Sequence, residues 1–363
     1  MRHRFHSICP YFAMFPETFV RKHLVLGSDD GVVFDPFCGR GTTPFEALRY
    51  GREAIGCDIN PVAYCISAAK CNAPLLSKLH RRIEEISFNE ECHDYPNENG
   101  EFFRRCFHSK TLEQILRVRR DLDWKNSPID RFIAALALGA LHGESHKSPL
   151  YFSNRMPRTI STKPRYSVKW WDRHELYPPQ RDVFKILHEL ADYRYHSEPP
   201  ELSADIKNID ARNSGKAFNS YRGRVSLIIT SPPYLDTTNF TEDQWLRLWF
   251  LGGYDAPNSR NLGDDRYYSA APYWGFLQQV WKGVSDMIAD DAYIVIRLGG
   301  KKLSCQDASE EMTKTLCGGL EHAVQLESAI STDIKNSQKR SFQSRRHTGS
   351  VEYDLRYRVR RIP

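Results

Sequence analysis

The chain has 363 residues, enough to bury a sizeable core in one large domain or two smaller ones. Its formal net charge of +6 and pI near 8.7 are mildly basic, which by itself says little about a polyanionic partner until the charges are placed. Nine cysteines without a CxxC pair or a matching Cys/His spacing argue against a zinc site and for reduced thiols. No apolar run approaches the roughly 18 residues of a membrane span, and the start MRHRFHSICPYF lacks the apolar core of a signal peptide, so the expectation is a soluble cytoplasmic protein with no metal and no membrane partner.

In chain order, the first clear unit is GVVFDPFCGRGTTPFEALRYGREAIGCDINPVAYCISAAK. It reads as a strand (Val32 to Phe34), a glycine turn, a helix from about Thr43 to Tyr50, a strand (Ala54 to Cys57) and another helix, which suggests a parallel βαβ unit. From about 73 to 200 the rhythm is lost: a charged helix at 111 to 123, an apolar helix at 129 to 142, and an irregular basic segment at 145 to 171. It then resumes with strands at 206 to 212 and 225 to 230, a helix at 271 to 288, a fifth strand at 292 to 300, and two last strands, HAVQLESAISTDI and VEYDLRYRVRR, around a basic loop at 335 to 349. This order predicts an α/β fold with a doubly wound, mostly parallel seven-stranded sheet of Rossmann-like type. Residues 1–72 and 201–363 would form the catalytic domain, and 73–200 an inserted region of helices and loops.

Two places carry chemistry. In DPFCGRGTT an acid ends the first strand, and Gly39 and Gly41 turn the chain into a helix whose amino terminus offers free N–H groups. A glycine turn also serves merely to connect elements, but Asp35 stands where it can accept from a ligand's amino group. A second acid, Asp58, ends the next strand, where ribose hydroxyls are held in nucleoside-binding folds. The sequence continues Thr42-Thr43 rather than completing GxGxxG, which favours a nucleoside without a diphosphate. The other place is VSLIITSPPY, where a buried strand meets two prolines that cannot join a sheet ladder and that fix one rigid shape. Alone, this is equally a strand-ending turn.

Together DPFCGRGTT, GCDINPVAY and TSPPY resemble the amino-group DNA methyltransferases, which act on cytosine-N4 or adenine-N6; the likeness covers roughly residues 8 to 72 and 205 to 300. It implies a class I methyltransferase fold and S-adenosylmethionine as cofactor. It further implies that Asp35, Pro36, Phe37, Gly39, Gly41 and Thr42 form the methionine-side loop, with Phe15 and Pro16 of YFAMFPETFV enclosing the cofactor. By the same pattern Asp58 is the ribose acid, Ile59 lies beside the adenine, Asp210 is the acid near the adenine amino group and Thr230 closes the site; the plainer alternative for Asp210 is a turn acid in IDARN. The long insertion after the second strand departs from the commonest relatives.

In this reading Ser231, Pro232, Pro233 and Tyr234 are catalytic. An exocyclic base amine is a poor nucleophile because its lone pair is delocalised, and rigid acceptors aimed at its N–H bonds restore that lone pair. The Ser231 hydroxyl and the Pro232 carbonyl are such acceptors, and Tyr234 stacks the flipped base. Ser at the first acceptor position favours cytosine-N4 over adenine-N6; an RNA base methyltransferase is the competing class. Double-stranded DNA is the expected partner, and a cognate restriction or defence-system protein is a further candidate. For DNA contact the candidates are Lys147, Arg155, Arg158, Lys163, Arg165 and Lys169, in an acid-free run interleaved with Tyr151, Phe152, Tyr166, Trp170 and Trp171, together with Lys339 and Arg340 of the later basic loop. A solvated loop with some aromatics in the core is the bland alternative.

Overall fold

The computed structural model describes residues 2–11, 15–97, 100–143, 150–156, 163–234, 244–257, 270–299, 303–333 and 351–362. Strands β1 (Val32–Asp35), β2 (Ala54–Cys57), β3 (Asp205–Lys207), β4 (Val225–Thr230), β5 (Ile288–Gly299), β6 (His322–Asp333) and β7 (Val351–Arg361) form one sheet in the order β3-β2-β1-β4-β5-β7-β6. The first five run parallel, whereas β7 is antiparallel to both β5 and β6. Strands β1, β2 and β4 are buried along their whole length, as parallel strands covered on both faces must be, and this explains their unbroken apolar runs. Leu277 and Trp281 of the helix Ala270–Val284 and Met312 and Leu316 of Cys305–Gly319 pack with Ile294, Ile296, Leu355 and Tyr357 in the core. The expected doubly wound α/β fold is borne out. Because the strand order reverses between β1 and β4, their carboxyl ends, Asp35 and Thr230, flank the crevice where such sheets bind ligands.

Two compact units are present, one of Phe12–Ser67, Pro200–Thr237 and Gly263–Pro363, which holds the sheet, and one of Met1–Tyr11, Ala68–Pro199 and Thr238–Leu262, which is helical. Their bounds differ from the expected division, since residues 1–11 and 238–262 group with the helices. In the helical unit, Gly139 lies so close to the Ile8 carbonyl that a Cβ would approach it to 2.1 Å, and buried Arg247 donates to the carbonyls of Pro10 (2.8 Å) and Leu138 (3.3 Å). Trp245 and Trp249 pack on Phe103.

Several elements depart from expectation. The third strand ends at Lys207, because Asp210 caps a tight 3-10 turn at Ala211–Asn213 in place of further strand. The basic segment is not irregular throughout: Pro164–Arg173 is a helix that starts on a proline and buries Ser167, Val168 and Trp171. Helices at Leu76–Phe88, Val183–Tyr195 and Cys305–Gly319 had no counterpart in the sequence reading. Among the described residues, no helix is long and apolar enough to cross a membrane.

Candidate active site

The turn after β1 is built by two left-handed glycines, Gly39 (φ 49°) and Gly41 (φ 68°), the second of which caps the helix Thr42–Arg49. That helix is fixed by Glu46, fully buried and paired with Arg21 (2.6 Å) and Arg49 (3.1 Å). Arg21 belongs to the helix Glu17–His23, which Pro16 opens, and Phe15 packs on Phe19 at its start. Thr42 and Thr43 are buried at the helix start, and the Thr43 hydroxyl donates to the Ile229 carbonyl of β4 at 3.0 Å.

Asp35 is fully buried. Its Oδ1 accepts from the Thr230 hydroxyl (2.6 Å) and from the Phe37 N–H (3.1 Å), while Oδ2 is buried without a hydrogen-bond partner among the described residues. Burial pushes its carboxyl up to about 7 against the pull of these donors. Asp58 follows β2, with Oδ2 accepting from the Gly39 N–H and Oδ1 from the Asn60 N–H, both at 2.9 Å; burial raises it to about 6. The second acid thus shapes the glycine turn directly. Beside it the apolar side chain of Ile59 is 60% exposed, and the Asn208 amide holds the carbonyls of Asp58 and Ile59. Pro36 and Phe37 complete the loop, Phe37 lying edge-on to Phe276.

Asp210 is engaged differently. It accepts from the Arg212 backbone N–H and pairs with the Arg212 guanidinium at 2.6 Å, the geometry of a capping turn acid. The contacts of Asn208 and Thr43 carry no sequence signal, because each looks like an ordinary polar loop or helix residue until the fold brings it to Asp58 or Ile229.

After Thr230, which is fully buried, the chain leaves the sheet through Ser231 and Pro233, both half-buried, with Pro232 buried between them. Tyr234 is only 8% exposed, and its hydroxyl donates to Glu352 at 2.9 Å. Burial, reinforced by the Glu352 charge, pushes the phenol well above its ordinary value. Asp35, Thr230 and the turn that follows therefore converge at the switch point, with one unpartnered buried oxygen able to accept from a cationic donor.

In the helical unit Arg155, Lys163, Arg165 and Lys169 are exposed, as is Tyr166 at 51%, but Phe152 and Trp171 are core residues and offer no surface for a base. Lys147, Arg158, Lys339 and Arg340 lie outside the described residues.

The seven-stranded sheet, with β7 antiparallel between β5 and β6, is the mostly parallel α/β sheet that the resemblance to class I methyltransferases implies. Residues 3–69 match a family model described as DNA methylase. Over 57 residues the chain is 40% identical to the Type II methyltransferase M.MvaI of Kocuria varians, a match that covers 16% of this chain and 13% of that protein's length. The resemblance to amino-group DNA methyltransferases is borne out in this amino-terminal segment, which carries Asp35, Gly39, Gly41 and Asp58 and stops short of TSPPY. Among solved structures, the rRNA methyltransferase aviRa from Streptomyces viridochromogenes overlaps 98% of this chain and 94% of its own at 10% identity and a TM-score of 0.35. The geranyl diphosphate C-methyltransferase from Streptomyces coelicolor overlaps 95% and 76% at 8% identity and 0.34.

Proposed function

We propose that the chain transfers a methyl group from S-adenosylmethionine to an exocyclic base amine of double-stranded DNA, with cytosine-N4 ahead of adenine-N6. The observation that supports it most is the Thr230 to Asp35 bond, which joins the acid of the glycine loop to the residue that opens the proline turn. The cofactor suits the donors present. The unpartnered Asp35 Oδ2 would take its ammonium, Asp58 its ribose hydroxyls and exposed Ile59 its adenine face, with Phe15, Pro16, Pro36, Phe37, Gly39, Gly41 and Thr42 around it. Asp210, tied to Arg212, is assigned to the turn rather than to the ligand. When bound, the cofactor supplies an electrophilic sulfonium methyl.

The chain's own part is positioning. Ser231 Oγ and the Pro232 carbonyl accept the two N–H bonds of the amine, drawing its nitrogen toward a tetrahedral shape, and the prolines hold these acceptors still. Tyr234 lines the base site. Arg155, Lys163, Arg165 and Lys169 contact phosphates. Ser231, in place of an acid, is the feature that puts cytosine first.

Incubation with duplex DNA and S-adenosylmethionine, digestion to nucleosides and mass spectrometry tests this reading. N4-methyl-2′-deoxycytidine is the expected product; N6-methyl-2′-deoxyadenosine would move the base assignment, and methylation of RNA but not DNA would overturn the substrate.

A further inference from the structure

The proline turn has an anchor at each end, and the second one lies on the far side of the sheet order. Pro232 and Pro233 have no N–H to donate, so the middle of the turn has no backbone donors of its own and side chains at its ends help to fix it. Thr230, bonded to Asp35, secures the near end. At the far end the Tyr234 ring lies against the bare backbone of Gly299 on β5, where a Cβ would come within 2.3 Å of the ring. Gly299 is paired with Glu352 across the β5/β7 ladder, and it is Glu352 Oε1 that receives the Tyr234 hydroxyl.

Glu352 is itself held. Arg297, two residues along the same face of β5, stands 3.3 Å from Glu352 Oε2 and forks onto Asp354 at 2.7 and 2.8 Å. Phe19 covers the guanidinium at 4.0 Å. Burial raises the Glu352 carboxyl, with Arg297 opposing it; burial also works against the Arg297 charge, yet the carboxylates more than restore it. Buried ion pairs are a poor device for stability, because the desolvation they require offsets their attraction, but they fix geometry well.

We propose that Glu352, held by Arg297, is a positioning residue that seats Tyr234 and so fixes the far end of the proline turn. The proposal deepens the reading of that turn as the amine acceptor and rests on it for its catalytic consequence.

The test has two arms. In the first, 3-fluorotyrosine is placed at position 234 and followed by fluorine NMR, which needs no catalysis: the parent chain should give one narrow line that does not titrate up to pH 10, and Glu352→Ala should broaden or shift it. An unchanged line overturns the seat. In the second, single-turnover methyl transfer should fall about tenfold or more in Glu352→Ala and in Tyr234→Phe, with cofactor affinity kept. The double variant should fall no further than the slower single one, and Glu352→Gln, which still accepts from the phenol, should stay within about twofold of the parent. Independent, additive losses, or an unimpaired Glu352→Ala, contradict the proposal. If the parent chain methylates no DNA, the reading of the turn as amine acceptor fails, and the fluorine line alone decides the seat.

Discussion

The Thr230 hydroxyl donates to Asp35 Oδ1 at 2.6 Å, and this bond ties the ends of two adjacent parallel strands across the point where the sheet reverses its order. The acid proposed to hold the cofactor and the turn proposed to hold the base amine are therefore joined by a hydrogen bond. Thr230→Val keeps the shape and removes the donor. It should push the Asp35 carboxyl higher still, weaken S-adenosylmethionine binding at pH 7 and slow methyl transfer. Calorimetry and single-turnover kinetics on the same sample would show whether both fall together, and a loss of only one breaks the coupling.

The two raised acids give a pH signature. Asp35 at about 7 and Asp58 at about 6 hold their protons more tightly in the folded chain than in the unfolded one, where carboxylates titrate near 4. Their contribution to stability therefore falls as pH rises from about 4 to about 7 and is flat beyond. A ligand ammonium prefers the ionised carboxylate, so cofactor affinity should rise between pH 6 and 8. Asp35→Asn should flatten both trends, as thermal melts and calorimetry across that range would show; an undiminished pH dependence in that variant removes Asp35 as its source.

At the proposed ribose side, Asp58→Ala removes the acceptor that also holds the Gly39 N–H, and Gly41→Val forces a side chain onto a backbone at φ 68°. Each should weaken cofactor binding by roughly tenfold or more, since losing a charged acceptor costs on the order of 1.5–3 kcal/mol. Folded variants with parental affinity would remove these residues from the cofactor site.

For the DNA surface, replacing Arg155, Arg165 and Lys169 together should lower DNA affinity and reduce the slope of log affinity against log salt by about three, with cofactor binding unchanged. A slope that stays the same means that these exposed charges are not phosphate contacts.

What the sequence makes legible follows from how local each signal is. Strands β1, β2 and β4 are short apolar runs stopped by an acid or a proline, and the glycine turn is a contiguous motif, so these were readable. The basic helix at Pro164–Arg173 was not, because its buried positions, Ser167, Val168 and Trp171, sit among so many charges that no apolar stripe stands out. Glu352 and Arg297 were equally hidden. They meet Tyr234 only through the β5/β7 register, a pairing between segments 55 positions apart that no local pattern encodes. The polar partners of the site, Thr43 and Asn208, look like ordinary loop and helix residues until the fold brings them to Ile229 and Asp58.

On the proposed function, the proline turn presents rigid acceptors to a base amine. Ser231 should matter chiefly in the transition state, where positive charge builds on the amine nitrogen and makes it a stronger donor. The most direct measurement is the rapid-quench single-turnover rate of Ser231→Ala with duplex DNA, read as methylated nucleoside, beside its affinity for cofactor and DNA. A fall of about a hundredfold or more with near-parental binding is the predicted result. Methylation at the parental rate would contradict the account and leave TSPPY as no more than the turn that ends β4.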